Sequence, residues 1–335
     1  MSLLETIPSP VLVAPMAGGP ITTELIVAAE EAGSFAFLPL GRVSPVRARE
    51  LMAELDGHTF GVNLFYPQDP ISPEAEQFAR ALAESWGSAY PEVDYSFDFA
   101  NLVDEVLAAP TPPKVFSTMF GCPETQLIET LHERGIEVWT TVTSVEEAIT
   151  ARERGVDALV IQAHTAGGHR GTWEVDTEPN TVTLAELVSS CYDALGEKVP
   201  PLIAAGGIRN AADVRAALSL PGTVKVSCGS AFLLADEAGT STINRHLITS
   251  ANASVEPTVA TRAFTGRIAR GLSTPFTRAN PDLPGAYPQL NSLLAPKRPS
   301  ESNNYNEDYA YCLVGVQPHR ISGGSVAEIL HRLNK

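Results

Sequence analysis

Aromatic side chains are scarce in this chain of 335 residues: Phe, Trp and Tyr together make up 7%. Such a composition argues against a binding surface of stacked rings. Basic residues are outnumbered, 23 Lys and Arg against 39 Asp and Glu, for a net charge of −16. The isoelectric point is near 4.8. That balance argues against nucleic acid or an anionic membrane as partner. A small anionic ligand stays open, because backbone dipoles can bind one locally. The 4 cysteines, Cys122, Cys191, Cys228 and Cys312, include no CxxC pair. They read as free thiols in a reducing compartment, with Cys228 in the core. No HxxxH spacing or Cys/His cluster points to a metal. No apolar run reaches the ~18 residues a membrane helix needs. Met1-Ser2-Leu3-Leu4-Glu5 offers neither a basic n-region nor a long apolar h-region. The expectation is a cytoplasmic protein with no membrane partner, self-association left open.

What is present is a sizeable core, 44% hydrophobic, arranged as alternating short apolar runs and amphipathic stretches. Strands are predicted near residues 11, 35, 60, 115, 137, 158, 201 and 223, the third being Phe60–Phe65 with Asn63 near its end. Helices follow them. Thr22 or Thr23 caps one, and Ser44–Leu55 forms another. Ser144 and Glu147 read as a capping box, and Asn210 caps Ala211–Leu220. Tyr66–Pro113 interrupts the rhythm with two helical segments, Pro73–Trp86 and Phe97–Leu107.

Strands alternating with helices of 10–15 residues imply parallel βαβ units. Eight of them predict an α/β fold, a closed (β/α)8 TIM barrel, with 66–113 as an insertion or elaborated crossover after strand 3. A doubly wound sheet would want GxGxxG after the first strand, and Ala14-Pro15-Met16-Ala17-Gly18-Gly19 does not supply it. The barrel is assigned to 1–240 and a lid-like C-terminal extension to 241–335. Within the extension Asn280–Asn306, rich in Pro, Ser and Asn, reads as loop, and 325–333 as a closing amphipathic helix.

The chemistry is sought around Val160–Gly171, where the apolar run Ala158–Ile161 ends in Gln162-Ala163-His164-Thr165-Ala166-Gly167-Gly168-His169-Arg170-Gly171. Gly167 and Gly168 permit close backbone approach to a flat ligand. His169 follows at once, and imidazole titrates near neutrality, which suits proton transfer. The plainer alternative is a strand-to-helix loop with two surface histidines. His164 reads as structural rather than catalytic.

Barrel enzymes draw ligand groups from the C-terminal ends of strands. Polar or glycine punctuation falls there at Met16-Ala17-Gly18, Asn63, Thr141, Gln162 with His169, Gly206-Gly207, and Gly229-Ser230. The loops after strands 7 and 8 commonly hold a phosphate. Gly206, Gly207, Gly229 and Ser230 fit that role, since glycines expose N–H groups and Ser230 adds a hydroxyl. Ordinary βα turns also favour Gly and Ser. Asn63 and Gln162 are either satisfied buried amides or hydrogen-bonding partners of a heterocycle. No Gly-x-Ser-x-Gly elbow surrounds Ser230, so a hydrolase triad lacks support.

These motifs together resemble the nitronate monooxygenases, formerly 2-nitropropane dioxygenases, which are FMN-dependent (β/α)8 barrels. The likeness rests on Ala14–Gly19, Gly61-Val62-Asn63, Gly135 through Gln162, and Ala166-Gly167-Gly168-His169-Arg170-Gly171. It continues through Ala204–Ile208, Gly229–Phe232 and Thr265-Gly266-Arg267-Ile268-Ala269-Arg270-Gly271. It implies that Ala14, Pro15, Met16 and Ala17, with the amides of Asn63 and Gln162, contact the flavin ring. Gly167 and Gly168 border the ring, and Gly206, Gly207, Gly229 and Ser230 hold the FMN phosphate. His169 stands at the reactive edge as base or hydrogen-bond donor. Where many relatives read Gln-Gly-x-Glu-Ala-Gly-Gly-His, this chain has His164 and Thr165, which changes the pocket's charge.

The implied activity is FMN-dependent oxidation of an alkyl nitronate, or of a nitroalkane deprotonated by His169, by O2 to a carbonyl compound and nitrite. The same superfamily contains FMN-dependent reductases that use NAD(P)H on enoyl thioesters or quinones, and these form the alternative.

Overall fold

The computed structural model describes residues 2–250 and 258–335. Eight strands form one parallel sheet: β1 (Val11–Val13), β2 (Phe37–Pro39), β3 (Gly61–Phe65), β4 (Val115–Met119), β5 (Glu137–Val142), β6 (Ala158–Gln162), β8 (Leu202–Ala205) and β9 (Thr223–Cys228). They are the eight expected from the apolar runs. A short strand, β7 (Gly168–His169), intervenes outside the sheet. The order is β1-β9-β8-β6-β5-β4-β3-β2. The ends meet through two backbone bonds, Ser9 N–H to the Gly33 carbonyl at 2.8 Å and Val13 N–H to the Phe35 carbonyl at 2.9 Å, and through Ser34 Oγ donating to the Val11 carbonyl at 2.6 Å. The sheet is thus a (β/α)8 barrel with one loosely stitched seam.

Side chains alternate across a strand, and the core divides accordingly. Val11, Val13, Leu38, Val62, Phe116, Val138, Leu159, Leu202 and Ala204 face the surrounding helices in the main cluster. Leu12, Phe37, Val115, Trp139, Ala158 and Ile203 form a second cluster inside the barrel. That interior cluster is closed from below by Leu4 and Ile7, carried on or beside the four-residue helix α1 (Leu3–Thr6). Lys225 Nζ reaches the Ile7 carbonyl at 2.6 Å and the Ser9 carbonyl at 2.9 Å, which anchors this plug. Continuing the alternation upward puts Asn63, Ser117, Thr141, Gln162 and Ser227 inside. The interior therefore grades from apolar at the amino end to polar at the carboxyl end.

Around the barrel run seven helices, α2 (Thr23–Glu31), α3 (Pro45–Glu54), α5 (Phe99–Ala108), α6 (Thr125–Glu133), α7 (Val145–Arg154), α8 (Leu184–Leu195) and α9 (Ala211–Leu218), with α4 (Pro73–Ser85) set outside this ring. Thr22, Ser144 and Asn210 cap their helices as expected. The Ser144–Glu147 box forms only in half. Ser144 Oγ accepts the Glu147 N–H at 3.2 Å, but the carboxylate turns instead to Thr143 N and Oγ1, at 2.5 and 2.9 Å, and to the Trp173 N–H at 2.9 Å. A buried acid satisfies more donors that way than by returning to one exposed cap.

The two insertion helices have different fates. Helix α5 packs on α3 and puts Leu102, Val103 and Val106 into the main core. Helix α4 turns Ala75, Ala79 and Ala83 toward Ala286, Leu290, Leu293 and Leu294 in a separate cluster.

The last four of these residues lie in Asn280–Asn306, which was expected to be loop. Instead it contains α12 (Gln289–Leu294), with Leu290 fully buried. The stripe of small residues on α4 gives those leucines a surface to bury, which outweighs the local Pro and Asn content.

The remaining C-terminal elements are α10 (Thr242–Ser250), β10 (Thr258–Thr261), β11 (Ala269–Leu272), α11 (Pro275–Ala279) and α13 (Val326–Leu333). Helix α13 packs against both α2 and α9, taking the eighth place in the helical ring. Strands β10 and β11 form an antiparallel pair that adds β7 at its edge. Of the segment 241–335, residues 251–257 lie outside the described residues.

Candidate active site at the carboxyl end of the barrel

Strand β6 delivers Gln162 at its last position, and the chain then rises into β7, where Ala269 pairs with His169 and Arg270 with Gly168. Gly168 has φ 79°, a conformation that glycine adopts without strain. Gln162 is 8% exposed. Its Nε2 donates to the His169 carbonyl at 3.1 Å, and its Oε1 accepts from Gly171 N–H at 2.8 Å. The amide's main task is therefore to hold the histidine loop, with one N–H left over.

The His169 Nε2 lies 2.9 Å from Thr265 Oγ1. Its ring meets Phe120 edge-on at a centroid distance of 5.8 Å and Tyr287 at 5.6 Å. Loss of hydration, followed by the positive charges of Arg267, Arg42 and Arg298, pushes its pKa down to about 3. The imidazole is neutral at physiological pH, and a conjugate acid that strong makes a weak general base. Burial raises the Tyr287 phenol to about 12, so it stays protonated. Arg267, lowered by burial to about 10, stays charged.

Among the described residues, none of these three arginines forms an ion pair with a carboxylate. Arg298 donates to Asn291 Oδ1 at 2.6 Å and lies over the Tyr311 ring at 3.9 Å. In a chain with net charge −16, Arg267, Arg298 and the exposed Arg42 make the field at this one histidine positive and anion-attracting.

The expected phosphate loops lie together. An added Cβ on Gly229 would sit 3.5 Å from Ala14 Cβ and from Met16 Sδ. Pro15 and Ala17 flank Met16 in the turn after β1. On Gly206, at φ 103°, it would sit 3.1 Å from the Ala163 carbonyl and Ala166 Cβ. On Gly207 it would collide with Thr165 Oγ1 at 2.6 Å. On Gly167 it would meet Gly315 N at 2.4 Å and Ser230 Oγ at 2.8 Å. Ser230 Oγ accepts the Gly315 N–H at 2.9 Å, which leaves its own proton to donate. Among the described residues the N–H groups of Gly207, Gly229 and Ser230 donate to no protein acceptor, and all three residues are partly exposed. Uncharged, outward N–H donors, a hydroxyl and the start of α9 suit a phosphate. These residues fit that end of a flavin mononucleotide.

Asn63 stands apart. It occupies the middle of β3 rather than its end, is 3% exposed, and donates to Ser117 Oγ at 3.0 Å. His164 takes a structural place, its Nδ1 2.9 Å from the Val182 carbonyl. A cleft beside β7 is lined by Gln162, Gly168, His169, Asn180 and Arg270. Among the described residues no group of three or more His, Cys, Asp or Glu side chains could hold a metal, and no helix is long and apolar enough to cross a membrane.

Sequence reasoning did not pick out Arg42, Phe120, Tyr287, Arg298 or Tyr311, and gave Thr265 and Arg267 no role. Phe120 follows β4 at once and Arg42 lies three residues past β2, so the rule about strand ends could have found both. The others come from connecting segments with no periodic signal.

A family model described as Nitronate monooxygenase matches residues 1–335. A probable nitronate monooxygenase of Staphylococcus saprophyticus is 30% identical over 340 residues, covering 97% of this chain and 94% of the relative. That of Bacillus subtilis is 29% identical over 323 residues, covering 89% and 87%. Among solved structures, nitroalkane oxidase from Streptomyces ansochromogenes superposes with a TM-score of 0.87 at 29% identity, covering 99% of this chain and 96% of that one. FabK from Thermotoga maritima gives 0.72 at 25% identity, covering 98% and 93%.

Proposed function

The chain belongs to the nitronate monooxygenase family, and from that premise we propose that it oxidises small alkyl nitronates with bound FMN and O2. The nitronate carbon gains one atom of O2 as its C–N bond breaks, so that two nitronates and one O2 give two carbonyl compounds and two nitrites. The carrying observation is His169 at the carboxyl end of the barrel, held by Gln162 and Thr265 and walled by Phe120 and Tyr287, in the positive field of Arg267, Arg42 and Arg298 that with burial keeps it neutral. A nitronate arrives as an anion, so it needs no base, and the arginine field favours it over a neutral nitroalkane. The imidazole acts as a hydrogen-bonding group that orients the substrate.

Gly206, Gly207, Gly229 and Ser230 would hold the FMN phosphate, and the backbone from Ala14 to Ala17, with Gly167, Gly168 and one N–H of Gln162, would border its ring. Asn63 would approach the ring from within the barrel. FMN supplies the electron transfer and oxygen chemistry. The protein places the substrate carbon and, through Phe120 and Tyr287, shields it from water.

The test is an anaerobic visible spectrum of the FMN-loaded protein after addition of an alkyl nitronate, its parent nitroalkane, NADH or NADPH. Reduction by the nitronate alone supports the proposal. Bleaching by NAD(P)H alone would instead point to a reductase of an enoyl thioester or quinone. Equal rates with the nitroalkane and the nitronate would restore His169 as a base.

A further inference from the structure

Arg267 is enclosed almost completely, at 1% exposure. Nη1 donates to the Thr172 carbonyl at 2.5 Å, and Nη2 to Gln68 Oε1 and to the Trp173 carbonyl at 3.3 Å. Nε has no partner among the described residues. Every acceptor is thus neutral, and a buried charge without a counter-ion is costly to keep.

What this side chain touches explains why it is kept. The guanidinium carbon lies 4.1 Å from the centroid of the Phe120 ring. Phe120 has φ 71°, a left-handed conformation that is an outlier for an aromatic residue and must be held by its surroundings. Gln68, the partner of Arg267, provides a second hold, Nε2 donating to the Phe120 carbonyl at 2.9 Å. The Phe120 ring also meets the imidazole of His169, edge-on at a centroid distance of 5.8 Å. From the same turn, Arg267 N–H donates to Thr265 Oγ1 at 3.3 Å, the hydroxyl that contacts His169 Nε2.

We propose that Arg267 is a positioning residue for the reaction at His169: it ties the loops after β3, β4 and β6 to the turn before β11, presses Phe120 against the imidazole, and presents an unpaired positive charge to an anionic substrate. The last clause rests on the nitronate reading, while the positioning of His169 does not. Lysine cannot replace it, because a point charge cannot reach three acceptors and cover a ring together.

The test uses the full-length, FMN-loaded protein and the variants Arg267→Met, Arg267→Lys and Gln68→Met. KM and kcat are measured with an alkyl nitronate. Independently of turnover, 15N NMR of histidine-labelled protein follows the titration of His169, assigned through His169→Gln. The charged groups that act on that ring are Arg267, Arg42 and Arg298, and the titratable Tyr287 packs against it.

Arg267→Met is expected to keep FMN and raise the nitronate KM about tenfold, because a buried positive charge without a counter-ion leaves the field at the site. Its His169 should titrate at a higher pH than in the parent, while burial and the two remaining arginines still hold it below the ordinary histidine range. Arg267→Lys should keep the imidazole neutral yet lower kcat. Gln68→Met should lower kcat with His169 titration unchanged, and it carries the test if Arg267→Met does not fold. Parent-like kinetics and parent-like titration in the folded variants overturn the proposal. Loss of FMN together with unchanged His169 titration overturns it too, because the role is then purely structural. If the parent does not oxidise nitronates, the functional reading fails, and the NMR arm still decides the positioning role.

Discussion

The side chain of Gln162 holds the backbone of His169 in place, with Nε2 on its carbonyl at 3.1 Å and Oε1 on the Gly171 N–H two residues further at 2.8 Å. The last inward residue of a barrel strand thereby fixes the short strand above it. Gln162→Leu keeps the volume but strands the buried Gly171 N–H, at a cost of about 1–3 kcal/mol. Turnover should fall at least tenfold while FMN still binds. Urea unfolding, FMN titration and kinetics on one preparation measure all three, and a variant with parent turnover would show that the clamp is not needed.

Acid should weaken this protein through His169. Its pKa is about 3 when folded and about 6.5 when unfolded. Between those values the unfolded chain binds the extra proton, so stability rises with pH across the window and is lost as pH falls from about 6.5 toward 3. His169→Gln should flatten part of that slope. Denaturation midpoints taken every half pH unit test it, and identical slopes in parent and variant would contradict the depressed pKa.

Gly167→Ala should damage the phosphate loops. The new methyl would meet backbone at Gly315 N, 2.4 Å away, and Val314 C, 2.6 Å away. Backbone cannot rotate aside as a side chain can, so the 314–315 segment must shift and the Ser230–Gly315 bond with it. Overpacking of this kind costs about 1–3 kcal/mol. Fluorescence titration should show FMN affinity reduced about tenfold or more, with a lower melting temperature. Unchanged affinity would remove these loops from the cofactor site.

Glu147→Ala should destabilise the protein without touching the substrate space. The carboxylate is largely buried, and burial raises its pKa. It serves two backbone N–H groups, Thr143 and Trp173, and the Thr143 hydroxyl. Leaving them unmet should cost about 3 kcal/mol or more. Thermal unfolding with and without FMN reads this, and a loss equal in both states is the expected pattern.

Much of this architecture was legible in the sequence because buried parallel strands read as uninterrupted apolar runs. Val11–Ala14 and Ala158–Ile161 are examples, and the caps at Thr22, Ser144 and Asn210 mark where their helices begin. The glycine loops at 206–207 and 229–230 were legible for the same reason, since each ends a strand. The wall around His169 was not. Phe120, Tyr287 and Arg298 come from three connections, and only the closed barrel brings them to one imidazole. Helix α12 was missed because Leu290, Leu293 and Leu294 acquire their meaning from the alanine stripe of α4, some two hundred residues earlier in the chain.

Helix α13 has a consequence for how this molecule is made. It occupies the place between α2 and α9 and contributes Val326, Ile329, Leu330 and Leu333 to the main core. A ribosome delivers these residues after every strand of the barrel, so the nascent barrel must wait with an apolar groove between its first and seventh surrounding helices. Emerging chains in that state are open to aggregation and to chaperones. Removing the final turn of α13 would make the waiting state permanent.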